Sequence, residues 1–146
     1  MITDSGDRTQ FESGAVRDMG EGKGRCDLLP ISVVTRLLDM NREDTVIPFL
    51  GVFLEDTKTV HLYAALMEFA RVAYKGSVVT MVLEVAKHFE EGAKKYGEYN
   101  WQKGIPTSCY IDSAIRHYLK WRRGDDDEAH DKAFVWNILC CCWEVD

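Results

Sequence analysis

Three helix-like segments fill the C-terminal half of the chain, and this feature most constrains the fold. Ser77 begins the first segment and Gly97 ends it, while Pro106 and Gly124 bound the second. Apolar residues recur at helical spacing within the segments, and no strand-like alternation of useful length occurs. The sequence therefore predicts an all-α chain built as a helical bundle.

Two further boundaries divide the chain. Residues 1–30 are rich in Gly and charged residues, so they predict an extended, Gly-rich N-terminal arm. Residues 31–146 predict a single all-α domain of ordinary size. Within it, 31–76 supply an extra helical pair, and 77–146 supply the core helices that carry the candidate site.

The extra helical pair contains residues that interrupt helices. Pro30 starts a short helix that ends near Asn41, because Pro fits the first turn of a helix. Pro48 and Gly51 then predict a turn or a broken helix.

Charge and hydropathy limit the kind of partner. The net charge of −6 argues against a nucleic-acid polymer, whose phosphates need a basic surface, but a small phosphate can bind acidic residues through a divalent ion. No apolar run reaches membrane-spanning length, and residues 1–10 lack the apolar core of a secretion signal. Cys140, Cys141 and Cys142 are expected to be reduced and to act as small hydrophobic side chains. We expect a cytoplasmic protein that can bind a small phosphate-bearing ligand, and neither a nucleic-acid polymer nor a membrane.

The first of the three helices has a broad apolar arc, which is expected to face the core. Its members share one side of the helix: Val78, Val79, Val82, Leu83, Val85, Ala86, Phe89, Ala93 and Tyr96. The opposite stripe is polar: Glu84, His88, Glu91 and Lys95. Glu90 lies at the edge of the apolar arc, so its carboxylate is expected to face the protein.

The last helix is apolar on nearly every side, yet polar residues interrupt it. Asn137 lies in this apolar run, and His130 lies seven residues earlier on the same stripe. Either the two residues line a polar cavity, or Asn137 is a buried amide bonded to a neighbouring helix. Glu128 and Asp131 are spaced i, i+3 and can offer two carboxylates to a divalent ion, although the acidic run before the helix also suits a solvated cap.

Residues near the middle helix form a set that suits a nucleotide. Tyr96 and Trp101 can stack on a base, and Asn100 can bond to its edge. Lys95 and Arg116 can hold phosphate. A plain i, i+4 pair of Arg116 with Asp112 is the structural alternative.

The basic residues of the N-terminal arm alternate with Gly. Arg17, Lys23 and Arg25 stand in a sequence that lacks the order of a P-loop and the GxGxxG pattern, so neither nucleotide-binding fold is indicated. Such a backbone can wrap an anion, and a disordered tail is the alternative.

Several motifs together resemble the phage-type dATP/dGTP diphosphohydrolase family, which is related to the MazG-like all-α nucleotide pyrophosphohydrolases. They are SGAVRD, EGKGR and DLLP in the arm, then HFEEGAKKYGEYNWQKGIP, DSAIRH, DEAHD and AFVWN. The resemblance covers residues 13–30 and about 80–143. It implies hydrolysis of a purine deoxynucleoside triphosphate between the α and β phosphates, with Mg²⁺ or Mn²⁺ as cofactor, to give the monophosphate and pyrophosphate.

The resemblance also suggests roles for individual residues. The metal candidates are Glu90, Glu91, Asp112, Glu128 and Asp131. The catalytic candidates among them are Glu90, Glu128 and Asp131. The phosphate-binding candidates are Lys23, Arg25, Lys95 and Arg116. The candidates for the base and sugar pocket are Tyr96, Asn100, Trp101, His130 and Asn137. His117 is a further substrate-binding candidate.

One departure from the MazG-like pattern supports an alternative function. That pattern reads EExxE and ExxD, and Lys94 stands where the third Glu would be, whereas Glu128 and Asp131 fit the second part. A Lys there can hold phosphate directly, so a non-catalytic protein that sequesters a nucleotide, of phage or prophage origin, is the alternative.

Self-association is a further expectation. Enzymes of the resembled kind commonly form oligomers, and the apolar segment 31–70 is long for a domain of this size. We therefore expect a homo-oligomer, a dimer or a tetramer.

Overall fold

Helices dominate the computed structural model, which describes residues 8–18, 22–41 and 44–146. The helices of these ranges are α1 (Ile31–Asn41), α2 (Ile47–Asp56), α3 (Val60–Ala73), α4 (Val78–Tyr96), α5 (Thr107–Arg123) and α6 (His130–Val145). α5 and α6 pack along each other, α4 packs on α6, and α2 packs on α3. The all-α prediction is confirmed. None of the described helices has both the length and the hydrophobicity that a bilayer-spanning segment requires.

The N-terminal segment contains a small hairpin. β1 (Arg8–Gln10) pairs antiparallel with β2 (Val16–Asp18), and a short 3-10 helix follows at Cys26–Leu28. Ala15 at the turn side of β2 is fully buried. The extended form predicted for the arm is therefore not confirmed, because the chain folds back on itself within 8–18. Parts of the predicted arm, 1–7 and 19–21, lie outside the described residues.

The break predicted in the second helix is wrong. Pro48 lies in the first turn of α2, where no intrahelical donor is needed. Gly51 continues the helix and permits close packing, since a Cβ at this position would lie 2.9 Å from Ile31 Cγ2. The residue that suggested a break therefore lets α1 approach α2.

Aromatic side chains form the centre of the core. The Phe69 ring of α3 lies 4.6 Å from the Phe134 ring of α6 and 5.0 Å from the Trp121 ring of α5. Tyr118 packs on both Phe69 and Phe134, at 6.0 and 5.5 Å between ring centroids. These contacts fix the relative positions of α3, α5 and α6.

The orientation predicted for α4 is wrong, and the error matters for the site. Val79 is 72% exposed and Leu83 is 66% exposed, whereas Met81, Val85 and His88 are buried. The local caps are as predicted: the Ser77 side chain accepts a hydrogen bond from Thr80 N, and Gly97 ends the helix with φ 93°. The helix therefore turns its polar stripe towards α6 and much of its apolar arc towards solvent.

Candidate functional site

A cluster of polar residues lies between the inward face of α4 and the first turns of α6. Its buried member is His88, whose ring lies 6.1 Å from the Trp136 ring. Burial lowers the pKa of His88 to about 4, although the nearby carboxylates of Glu91 and Asp131 oppose the shift. Its Nδ1 is buried and has no hydrogen-bond partner among the described residues. His88 is therefore neutral at pH 7, and one of its ring nitrogens is unpaired within ranges 8–18, 22–41 and 44–146.

Carboxylates from both helices belong to this cluster. Asp131 Oδ2 accepts a hydrogen bond from the Tyr74 hydroxyl at 3.1 Å, and burial together with this carboxylate raises the pKa of Tyr74. Lys132 Nζ lies 3.6 Å from Glu84 Oε2. We refer to the following five residues as the helix cleft: Glu84, His88, Glu91, Asp131 and Lys132.

A second polar group lies where α5 passes the start of α6. His117 Nδ1 is 2.8 Å from His130 Nδ1, and His130 Nε2 is 2.7 Å from Asp127 Oδ1. Burial lowers the pKa of His117 to about 3, and His130 adds to the effect. A carboxylate oxygen of Glu128 lies within 4.8 Å of a ring nitrogen of each His. This histidine group is compact enough to surround a single ion.

Polar contacts attach the hairpin to the bundle. Asn100 accepts a hydrogen bond from Val16 N at 3.0 Å and donates one to Val16 O at 2.8 Å. Arg17 donates to Ser113 Oγ at 2.8 Å and to Asn137 Oδ1 at 3.2 Å. Asn137 donates in turn to a carbonyl one turn earlier in α6, at 2.8 Å. Both groups of each amide are thus hydrogen-bonded, and Asn100 holds the hairpin through both of them, whereas Asn137 holds it through its oxygen alone.

A buried ion pair in α5 holds the segment that follows the hairpin, at Gly24 and Cys26. The Arg116 guanidinium donates to both oxygens of Asp112, at 3.1 and 3.0 Å, and to Gly24 O at 2.5 Å. Asp112 Oδ1 also accepts a hydrogen bond from Cys26 N at 2.5 Å. We call the complete set the arm latch: Arg17, Asn100, Asp112, Arg116 and Asn137, with the backbone groups that they bind.

The predicted metal ligands fall into separate places. Glu91 and Asp131 both lie near enough to His88, in the helix cleft, to oppose the lowering of its pKa. Asp112 belongs to the arm latch, where Arg116 and Cys26 engage its oxygens. Glu128 lies in the turn before α6, which begins only at His130, so the prediction that Glu128 and Asp131 share one helix face is wrong.

The inward orientation predicted for Glu90 is also wrong. Its side chain is 72% exposed, and Lys94 Nζ lies 3.7 Å from it on the same outer face. The cause is the rotation of α4 described above, which places Glu91 rather than Glu90 towards α6. Lys94 is likewise 76% exposed, so the residue that motivated a phosphate-holding Lys lies outside the cleft.

The predicted substrate-binding residues are likewise dispersed. Lys95 Nζ lies 5.1 Å from the centroid of the Tyr96 ring at the C-terminal end of α4. The Trp101 ring packs 5.7 Å from Phe89 and 5.1 Å from Trp143. Two arm residues lie at the surface: Lys23 is exposed, and Arg25 pairs with Asp27 at 2.6 Å.

Sequence reasoning did not select three residues that prove central to these groups. His88 belongs to the polar stripe of α4, and its spacing from Glu84 and Glu91 was the available signal. Arg17 lies in the SGAVRD motif, but its contacts with α5 and α6 join residues about a hundred positions apart. In the sequence, Asp127 differs in no way from the other Asp residues in the acidic run of residues 125–128.

Comparison with known proteins gives a match for most of the chain. Neither the curated proteins nor the solved structures that were compared include a significant match. A family model described as dATP/dGTP diphosphohydrolase, N-terminal, matches residues 56–146. This range contains α3 to α6 with both the helix cleft and the histidine group, and it leaves the hairpin outside. The chain therefore belongs to the dATP/dGTP diphosphohydrolase family, whose name denotes hydrolysis of purine deoxynucleotides.

Proposed function

We propose that the protein hydrolyses purine deoxynucleoside triphosphates between the α and β phosphates, and that the helix cleft is its metal and phosphate site. The observation that carries this assignment is that Glu91 and Asp131 lie near His88, whose buried Nδ1 has no hydrogen-bond partner within the described part of the chain. A partly buried group of carboxylates beside an unsatisfied ring nitrogen is costly without a ligand. The family match supports the substrate class.

The donor set of the cleft suits Mg²⁺ or Mn²⁺. Both ions prefer oxygen ligands, and Glu84, Glu91 and Asp131 supply carboxylates from two facing helices. Glu91 and Asp131 would hold the ion. When bound, the ion neutralises phosphate charge and activates water.

Each remaining residue of the cleft has a role that follows from its charge. Lys132 stabilises negative charge on the phosphates, and Lys95, one turn beyond Glu91 on α4, reaches the same ligand. His88 is neutral at pH 7, so its Nδ1 can accept a hydrogen bond from water or from the sugar. Tyr74 holds Asp131 in place through its hydroxyl.

Incubation with each deoxynucleoside triphosphate, followed by chromatography, tests this proposal. With Mg²⁺, dATP and dGTP should yield the monophosphate and pyrophosphate, and a chelator should stop the reaction. Asp131→Asn should reduce turnover strongly, whereas Asp126→Asn, a matched change at an exposed residue, should not. Release of orthophosphate would contradict cleavage at the proposed bond, and tight binding without turnover would favour a nucleotide-sequestering protein.

We also infer that the protein self-associates through the outer face of α4. Val79, Val82 and Leu83 are 72%, 51% and 66% exposed on neighbouring turns of that helix. An exposed apolar patch of this kind is typical of a protein interface. Light scattering should give a mass of at least two chains, and Leu83→Glu should lower it. A monomeric wild-type protein at micromolar concentration would contradict this inference.

A further inference from the structure

The histidine group differs in chemistry from the helix cleft. Its nitrogens come from His117 in α5 and His130 at the start of α6, and its oxygen comes from Glu128 in the turn between them. None of these residues has a role in the proposed hydrolysis. The ring of His130 is almost fully buried, whereas the Asp127 side chain beside it is 65% exposed, so the group has an opening to solvent.

The hydrogen bond to Asp127 determines which nitrogen of His130 carries the proton. The Asp127 carboxylate accepts only from an N–H, so Nε2 at 2.7 Å is the protonated nitrogen and Nδ1 has a free lone pair. That lone pair is directed towards His117 Nδ1, at 2.8 Å. A carboxylate that orients a His in this way is the usual second contact of a metal-bound imidazole.

The three ligand atoms lie within 4.8 Å of one another, which is close enough for one ion. Two nitrogens that each lie about 2.1 Å from a metal ion at the tetrahedral angle are about 3.4 Å apart. The two Nδ1 atoms are 2.8 Å apart, the distance of a hydrogen bond, so the rings separate by a few tenths of an ångström when an ion enters. Because His130 Nδ1 is the acceptor of this hydrogen bond, His117 Nδ1 carries its proton, and that proton moves to Nε2 of the same ring when an ion binds.

We propose that His117, His130 and Glu128 bind a divalent transition-metal ion of the Zn²⁺, Mn²⁺ or Co²⁺ type. Two imidazoles and one carboxylate favour these ions over Mg²⁺, which prefers oxygen ligands throughout. The ion would join α5 to the start of α6, with Asp127 as the outer contact of His130. This site goes beyond the proposed hydrolysis and shares no residue with the helix cleft.

A second possible group of ligands, Asp125, Asp127 and His130, fits less well. In this group the ion would have to bind His130 through Nε2, and that nitrogen already forms a hydrogen bond with Asp127. The Asp125 carboxylate is also engaged by both donors of Arg123. The group with His117 leaves these contacts intact.

Titration of the metal-free protein with Co²⁺, in excess Mg²⁺ and without nucleotide, tests the proposal by absorption spectroscopy. We expect one Co²⁺ per chain, with visible bands typical of nitrogen and oxygen ligands. His117→Ala should abolish these bands, and Asp127→Asn should weaken affinity by about 10- to 100-fold. His61→Ala is the matched control, because His61 lies near the surface with Asp56 and should leave binding unchanged.

Three results would overturn the proposal. They are unchanged affinity in folded His117→Ala, loss of the bands in His61→Ala, and an intense thiolate charge-transfer band that places the ion on a Cys. Because His130 is buried and its replacement can unfold the chain, Glu128→Gln serves as the second ligand variant, with folding checked by circular dichroism. Unchanged Co²⁺ affinity in this variant as well would exclude the site even if hydrolysis of deoxynucleotides is confirmed.

Discussion

The arm latch and the helix cleft contain similar residue types but differ in how their polar groups are satisfied. In the latch, the Asn100 amide is fully paired with Val16, and Asp112 is paired with Arg116 and a backbone N–H. In the cleft, His88 Nδ1 has no partner among the described residues. The latch also has one unmet group, since Arg17 Nη1 is buried without a partner in the part of the chain that the structure describes. The latch nevertheless pairs its carboxylate and both Asn amides and so holds structure, whereas the unmet nitrogen of the cleft lies beside carboxylates that suit a ligand.

The largest predicted effect concerns the latch. Asp112→Ala leaves Arg116 as a largely buried cation, since the two side chains are each only 12% exposed. We expect a loss of about 3–5 kcal/mol in the free energy of unfolding, because a buried charge without its partner is strongly destabilising. Denaturant titration measures this change. Weaker binding of Mg²⁺ with unchanged stability would instead assign Asp112 to a metal site.

The next effect concerns the acid sensitivity of the cleft. The folded-state pKa of His88 is about 4, below its ordinary value of 6.5, so the unfolded chain binds more protons between these pH values. Stability should therefore fall as the pH drops through this window, with His88 contributing about 3 kcal/mol. The shifted pKa of His117 adds to the same trend.

His88→Gln provides the control, because it removes one titrating group and should flatten the stability profile between pH 6.5 and 4. Thermal unfolding over this range measures the profile. An identical slope in the variant would show that His88 is not a buried neutral group.

A smaller effect is expected at the other end of the latch. Asn100→Leu removes both hydrogen bonds to Val16 and leaves two backbone groups of the hairpin unpaired. We expect a loss of about 1–3 kcal/mol. Hydrogen exchange of the Val16 amide should accelerate more than exchange in α6. Unchanged protection at Val16 would contradict the assignment of Asn100 to the latch.

The helix boundaries could be predicted from the sequence because their signals are local. Ser77, Gly97 and Gly124 act through caps and through φ values that adjacent residues determine. The face that α4 buries could not be predicted, because its apolar arc remains largely exposed. That choice depends on the polar residues of α6, since Lys132 pairs with Glu84 across 48 positions of the sequence.

The residues of the candidate site could be identified from the sequence, but which of them lie together could not. Glu91, Asp131, Glu128 and Asp112 were all identified, but they divide among the cleft, the histidine group and the latch. The Asn100–Val16 pairing spans 84 positions and leaves no pattern in the local sequence. Burial and pairing, which assign each residue to a role, arise only from tertiary packing.

The adjacent residues Glu90 and Glu91 allow the most direct test of the central claim, that the inward face of α4 carries the metal site. Pyrophosphate release from dATP and dGTP in Mg²⁺ should fall by about 10²- to 10³-fold in Glu91→Gln, the size expected for a lost electrostatic contact in the transition state. Glu90→Gln, at a side chain that is 72% exposed, should retain the wild-type rate, and both variants should unfold like the wild type. Equal losses in the two variants, or full activity in Glu91→Gln, would contradict the account.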